Sequence, residues 1–305
     1  MPALAAAVPG LCCIVNTADD VDHLGLHISP DVDSVCYALA GRFDETRGWG
    51  LVDDTFETVD GLARYGQDWF RIGDQDLAFS LLRTARLRRG VSLTQATARL
   101  ADDLALGATV LPMSDHRVRT MVHTDRGTLG FQDFLVRHRA RPAVLGLCYQ
   151  GIETAAPAPG VLAALRRADV VVLAPSSPLA SLTPILRLPG VLETLRRRRG
   201  PTVSVTPVVS AQPPATAPES GRATVRAALM AAAGLPHRAS AVAALYRPFL
   251  DGFVLDERDA DQATGIEATG LPVLMTDTLP PRGSRQGLAA AVLDFACSLA
   301  PIPVG

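Results

Sequence analysis

Lysine is absent from this chain of 305 residues, and all 29 basic residues are arginine. A GC-rich genome is enough to produce that bias, but the chemical exclusion holds either way. Schiff-base catalysis by lysine, lysyl-nucleotide intermediates and a phosphate loop built on lysine are ruled out. Any phosphate clamp must use arginine, backbone amides, hydroxyls or a metal ion. Long apolar runs are also missing, so no segment reads as a membrane span. The apolar residues 2–10 lack the basic flank of a secretion signal, and the expected location is the cytoplasm. Net charge is only −2 with a pI near 6.3, which gives no global basic field for nucleic acid. The five cysteines show no metal-ligand spacing and read as reduced, mostly buried thiols. The six histidines form no H-E-x-x-H pattern, and no nucleophile elbow occurs, so hydrolase readings lack support.

What is present is ample apolar material: 48% of residues are hydrophobic and the mean hydropathy is +0.20. That suffices for one large domain or two small ones. Short apolar runs at residues 11–16, 170–174, 202–209, 252–255 and 272–275 read as buried strands, most of them emptying into polar or acidic turns. Helical patterns lie between them at 160–167, 182–199, 221–233 and 285–299. Strands alternating with helices predict an α/β fold with a doubly wound, mostly parallel, Rossmann-like sheet. In such sheets ligands sit beyond the carboxyl ends of the strands. Residues 53–140 change pattern, with amphipathic helices at 55–65, 74–89 and 92–106 and short strands at 109–113 and 117–124. The expected organisation is therefore a core of residues 1–52 and 141–305 and a mostly helical insert, 53–140, covering the active site. The basic run 196–199 reads as a solvated helix C-terminus, favoured there by the helix dipole.

Three groups of residues could carry chemistry. Asp19 and Asp20 follow the first strand, and Asp31 and Asp33 follow in Ser29-Pro30-Asp31-Val32-Asp33. Four carboxylates on neighbouring loops repel unless a cation or a donor lies between them. Hard oxygen ligands suit Mg²⁺, but loop solvation remains open, as does capping by Asp33 of a helix starting near Ser34. The second group is Pro175-Ser176-Ser177-Pro178, whose hydroxyls and amides before a helix could hold phosphate or simply cap that helix. The third is Arg71 beside Trp69 and Phe70, either a cation for a flat acidic ring or an arginine snorkelling from a helix edge.

These stretches resemble a known family. Val15-Asn16-Thr17-Ala18-Asp19-Asp20, Ser29-Pro30-Asp31-Val32-Asp33, Gly48-Trp49-Gly50 and Ile72-Gly73-Asp74-Gln75-Asp76-Leu77-Ala78 come first. Leu111-Pro112-Met113-Ser114-Asp115, Pro157-Ala158-Pro159-Gly160 and Pro175-Ser176-Ser177-Pro178 follow in the same order. Together they are similar, over nearly the whole chain, to the 2-phospho-L-lactate transferases of deazaflavin coenzyme F-420 biosynthesis. The resemblance implies an Mg²⁺-dependent transferase. It would move a phospholactyl, phosphoenolpyruvyl or similar unit from a guanosine diphosphate conjugate to a deazaflavin precursor, releasing GMP. It also implies a homodimer. Asp19 and Asp31 match the family's metal-binding carboxylates. Asp31 or Asp33, with Arg71, falls where the family holds the deazaflavin, and Ser176 and Ser177 lie in a phosphate-side loop. A non-catalytic nucleotide- or deazaflavin-binding paralogue with a regulatory role is the alternative.

The chain departs from the family pattern at particular places. Ala18 replaces a glycine, Gln75 a basic residue, Phe79 a histidine and Ser177 an asparagine, while His116 and Arg119 replace acidic residues. Met1 falls after the family's usual first strand and its glycine-rich loop, and residues 3–8 read as the end of the helix that follows that loop.

Overall fold

The structure is a computed structural model and describes residues 2–210, 217–281 and 284–299. It divides into two compact units, residues 1–161 and 162–305. Thr109–Pro112, a strand expected within the insert, pairs in parallel with the first strand, Cys12–Val15.

Unit 1 opens with α1 (Pro2–Ala7), β1 (Cys12–Val15), the hairpin β2 (Val21–His23) and β3 (Leu26–Ile28), and α2 (Pro30–Leu39). Then come α3 (Glu57–Ala63), α4 (Asp74–Arg88), α5 (Leu93–Asp103), β4 (Thr109–Pro112), β5 (Arg119–Thr124), β6 (Gly127–Gly130) and β7 (Val144–Gln150). β1 and β4 align Cys12 with Thr109 through Val15 with Pro112. Between them, Cys13, Val15, Val110, Leu100 of α5 and Val32 and Cys36 of α2 form one buried cluster. β5 lies between β6 and β7 in an antiparallel sheet. The β2–β3 turn is two residues, Leu24 (φ 50°) and Gly25 (φ 76°), both left-handed, as the tightest hairpin turns require. That turn folds His27 back towards Asp20.

α2 starts earlier than expected. Pro30 takes its first turn, where a missing amide costs nothing, and Asp33 lies inside the helix rather than capping it. The cysteines are less uniformly hidden than composition suggests: Cys13 and Cys36 are buried, Cys12 is half-buried, and Cys148 and Cys297 are exposed.

Unit 2 contains α6 (Val161–Arg167, its first residue still in unit 1), β8 (Val171–Leu173), α7 (Thr183–Leu186), α8 (Val191–Arg197), β9 (Thr202–Val205) and α9 (Ala217–Ala232). α10 (Ala239–Tyr246), β10 (Gly252–Asp256), α11 (Ala263–Glu267), β11 (Val273–Thr276) and α12 (Arg285–Ser298) complete it. Its strands form a parallel sheet in the order β11-β10-β9-β8. Every residue of β9 and β10 is buried, the pattern of strands covered on both faces. Val292 and Ala296 of α12 pack on Val203, Val205 and Val254.

The α/β class with parallel strands therefore stands as read from the alternation. The helix expected over 182–199 is broken in two, because Pro189 supplies no amide and Gly190 adopts φ 79°. The basic run that follows is not wholly solvated. Arg198 turns inward and donates to the carbonyls of Ala168 and Gly200, each at 2.6 Å.

Candidate functional site

The acidic loop after β1 is shaped by Asn16. Its Oδ1 accepts the Ala18 amide at 3.0 Å, a local side-chain turn that throws Asp19 and Asp20 off the strand end. The same side chain donates from Nδ2 to Asp31 Oδ2 at 3.0 Å, which ties the loop to the first turn of α2. β5 closes the other side, since the Thr120 amide donates to Ala18 O at 2.8 Å. Asp19 and Asp31 thus lie near enough for the charge of Asp31 to act on Asp19.

Burial dominates the electrostatics of both carboxylates. Burial pushes the pKa of Asp19 well above the usual range, and the neighbouring charges of Asp31 and Asp20 push it further. Burial likewise raises Asp31 to about 6, with the Asn16 hydrogen bond opposing and Asp20 reinforcing the shift. Asp20 Oδ2 is well supplied: Ser29 Oγ donates at 2.9 Å and His27 Nε2 lies at 2.9 Å. The other oxygen of Asp20 and Oδ1 of Asp19 are buried without a hydrogen-bond partner among the described residues. An unpartnered buried carboxylate oxygen is costly unless it carries a proton or faces a cation. Among the described residues no three His, Cys, Asp or Glu side chains make a ready cage for a metal. Mg²⁺ asks for less, commonly one or two carboxylates with water and substrate phosphates completing the shell. The donor set therefore fits a hard cation shared with a ligand.

The remaining expected residues have other partners. The Asp33 carboxylate is held by the Arg83 guanidinium in a buried pair, one contact being 3.1 Å. Burial dominates and raises Asp33, against the lowering effect of Arg83. Arg71 forms an ion pair with Asp60 at 2.9 Å, and its guanidinium lies 4.6 Å from the centre of the Phe56 ring. Phe70 and Ile72 turn inward to a core with Ile28, while Arg71 points outward between them. Ser177 caps the single helical turn Pro178–Leu182, its hydroxyl accepting the Ala180 amide at 3.3 Å. The Ser176 amide donates to Ala174 O at 2.7 Å. These two serines belong to unit 2 and the carboxylates to unit 1.

Sequence reasoning missed a cavity of about 250 Å³ in unit 1, lined in part by Asp20. Thr17 and His27 flank Asp20 there, and Leu87 and Leu93 supply apolar wall. The segment between β4 and β5 contributes Asp115, His116 and Arg117, and Arg119 follows at the start of β5. The one sequence signal available was that His116 and Arg119 are departures from the acidic pattern. Asn16 and Arg83 gave none, because their partners lie 15 and 50 residues away.

The family model for 2-phospho-L-lactate transferase CofD matches residues 1–273. A 2-phospho-L-lactate transferase of Methanosarcina acetivorans is 39% identical over 270 residues, 88% of this chain and 85% of that protein. A phosphoenolpyruvate transferase of Streptomyces coelicolor is 38% identical over 285 residues, 90% of this chain and 87% of that protein. Among solved structures, a UPF0052 family protein of Bacillus halodurans aligns with a TM-score of 0.59 at 15% identity, covering 96% of this chain and 93% of that one. At that identity the likeness concerns the fold alone.

Proposed function

Because the chain belongs to the 2-phospho-L-lactate transferase CofD family, we propose that it transfers a phospho-acid unit from a guanosine diphosphate conjugate to a hydroxyl of a deazaflavin precursor, with GMP as the leaving product. The observation that carries this reading is the Asp19–Asp20–Asp31 group: burial raises Asp19 and Asp31, and one buried oxygen each of Asp19 and Asp20 has no hydrogen-bond partner among the described residues. In the proposed reaction the hydroxyl oxygen bonds to the phosphorus bearing the acid unit, the bond from that phosphorus to the GMP oxygen breaks, and the hydroxyl proton is released. Such transfers depend mostly on positioning and on neutralising phosphate charge. Asp19 and Asp31 would hold Mg²⁺, which when bound supplies that neutralisation. Asn16 fixes Asp31 at a set place beside the loop, and the contacts of Ser29 and His27 hold Asp20 in one orientation.

The resemblance also supports the deazaflavin lying near Arg71, the donor phosphates near Ser176 and Ser177, a homodimer and a cytoplasmic setting. No helix among the described residues is long and apolar enough to cross a membrane.

The direct test is incubation with a deazaflavin precursor, Mg²⁺ and either the phospholactyl or the phosphoenolpyruvyl guanosine diphosphate conjugate, followed by mass spectrometry. A product heavier by the transferred unit, with GMP formed in equal amount, is expected. Tight deazaflavin binding with no product from either conjugate would replace the transferase reading with that of a regulatory binder.

A further inference from the structure

Arg119 is an unusual arginine in this molecule. Its Nη1 donates to the carbonyls of Val118 at 2.8 Å and Thr17 at 3.4 Å, and among the described residues it makes no ion pair. Its neighbour Arg117 is paired with Asp22, and Arg83 with Asp33. Arg119 is nonetheless half-buried, and burial lowers its pKa against the opposing influence of Asp20 and Asp19. Guanidinium stays charged in proteins, so this is a desolvated cation fixed at one end with the rest of its fork unused. It lines the cavity together with Thr17 and Asp20, each more than nine-tenths buried and each carrying a side-chain oxygen with no hydrogen-bond partner among the described residues.

We propose that Arg119 binds the carboxylate of the transferred phospho-acid unit inside this cavity. The assignment rests on the transferase reading above for the identity of the acid, and on the geometry for the contact. A planar guanidinium with free N–H groups matches a carboxylate in a two-point contact, which lysine could not imitate. Asp20 and Asp115 also line the cavity, but each has an oxygen already engaged, by Ser29 and His27 and by the Thr94 amide and hydroxyl respectively. Leu87 and Leu93 give a short carbon skeleton an apolar wall. Phospholactate and phosphoenolpyruvate differ in that skeleton yet share a carboxylate on the carbon bearing the phosphate ester. Arg119 therefore selects for an acid without choosing between these two.

Calorimetric titration of the full chain with phosphoenolpyruvate, pyruvate and inorganic phosphate, each alone, separates the two oxyanions. Arg119→Gln is expected to weaken phosphoenolpyruvate and pyruvate at least tenfold and to change phosphate less than twofold, with Arg119→Lys recovering part of the loss. Thermal melting of both variants shows that they fold. A second arm measures transfer from the phospholactyl conjugate and from its methyl ester. Wild type should prefer the free acid at least tenfold in kcat/KM, and Arg119→Gln should lose that preference. The assignment is overturned if wild type binds no phosphoenolpyruvate, if Arg119→Gln binds it as wild type does, or if phosphate is lost in step with pyruvate. Should wild type transfer nothing while the binding pattern holds, the transferase reading fails and the carboxylate site stands.

Discussion

Asp54 and Asp74 cap each other's helices. Asp54 accepts the amides of Gln75 and Asp76 at 2.9 and 3.2 Å, in the first turn of α4. Asp74 accepts the amides of Glu57 and Thr58 at 2.9 and 3.1 Å, in the first turn of α3. The exchange staples together the two ends of the segment that carries Phe56, Asp60 and Arg71. It requires Gly73, where a Cβ would lie 2.1 Å from Asp54 Oδ2. Gly73→Ala should push Asp54 off α4 and destabilise the fold by about 2 kcal/mol, a lost cap plus local overpacking. Urea unfolding checks this, and a midpoint equal to wild type would show that Asp54 adapts without loss.

Asp33 and Arg83 should behave as a structural pair. Removing one partner leaves a buried charge, at a cost of about 3–5 kcal/mol. Arg83→Met should therefore be strongly destabilising, and Asp33→Asn combined with Arg83→Met should recover much of the loss. Chemical denaturation of both variants measures it. If Arg83→Met melts with wild type while deazaflavin affinity falls, Asp33 serves the ligand rather than the fold.

The pH dependence of stability should pass through Asp76. Burial raises it to about 7, reinforced by Asp33 and Asp54 and opposed by the Tyr37 hydroxyl, which donates at 2.9 Å, and by Arg83. A carboxyl whose folded pKa exceeds its unfolded value holds an extra proton in the native state. Its stabilising contribution is complete below the unfolded value near 4 and is lost as pH rises towards 7. Stability should accordingly fall between pH 4.5 and pH 7 by about 3 kcal/mol from this group, and Asp76→Asn should flatten that slope. Unfolding curves across this range decide the matter, an unaltered slope in Asp76→Asn counting against it.

Much of this architecture was legible because it is local. β8, β10 and β11 are continuous apolar runs between polar turns, and α5 follows its amphipathic spacing, whereas α4 fills the expected range but buries Ser80, Arg83 and Thr84 and leaves Leu81 and Leu82 half exposed. The break at Pro189-Gly190 was legible too and should have divided the helix expected there. What sequence could not reveal was pairing at long range. β4 joins β1 across about ninety intervening residues, and nothing in its own composition tells a partner of β1 from a strand of an insert. The contacts that fix the site are long-range too: Asn16 reaches Asp31 across the β2–β3 hairpin, 15 residues on, and the fate of Asp33 depends on Arg83, 50 residues on in another helix.

Metal dependence should follow from the first pair. Asp19→Asn and Asp31→Asn each remove one carboxylate from a repelling group, so the metal-free variants should melt at or above the wild-type temperature at neutral pH. Both should also lose Mg²⁺-stimulated turnover. A rise in melting temperature on adding Mg²⁺ to wild type, absent in both variants, would locate the ion independently of activity. Full turnover in both would remove these residues from the metal site.

Arg71 offers the cleanest separation of ligand binding from folding. Its pair with Asp60 is exposed on both sides, with side-chain exposures of 50% and 60%, and surface pairs of this kind contribute roughly 0–1 kcal/mol. Its other contact is the face of Phe56, whose ring also has Arg47 above it at 4.9 Å and packs edge-on to Trp49 at 5.8 Å. Arg71→Ala should consequently leave the melting temperature within a degree or two of wild type. If Arg71 meets the acidic ring of the deazaflavin, the same change should weaken binding by about 1–3 kcal/mol, the range for a charge-assisted hydrogen bond. Deazaflavin fluorescence titration reads the affinity directly. Asp60→Ala serves as the counterpart, because it frees Arg71 from its surface partner without removing the cation, and binding should hold or tighten. Equal affinities in wild type and Arg71→Ala would return Arg71 to the role of a surface arginine lying across Phe56.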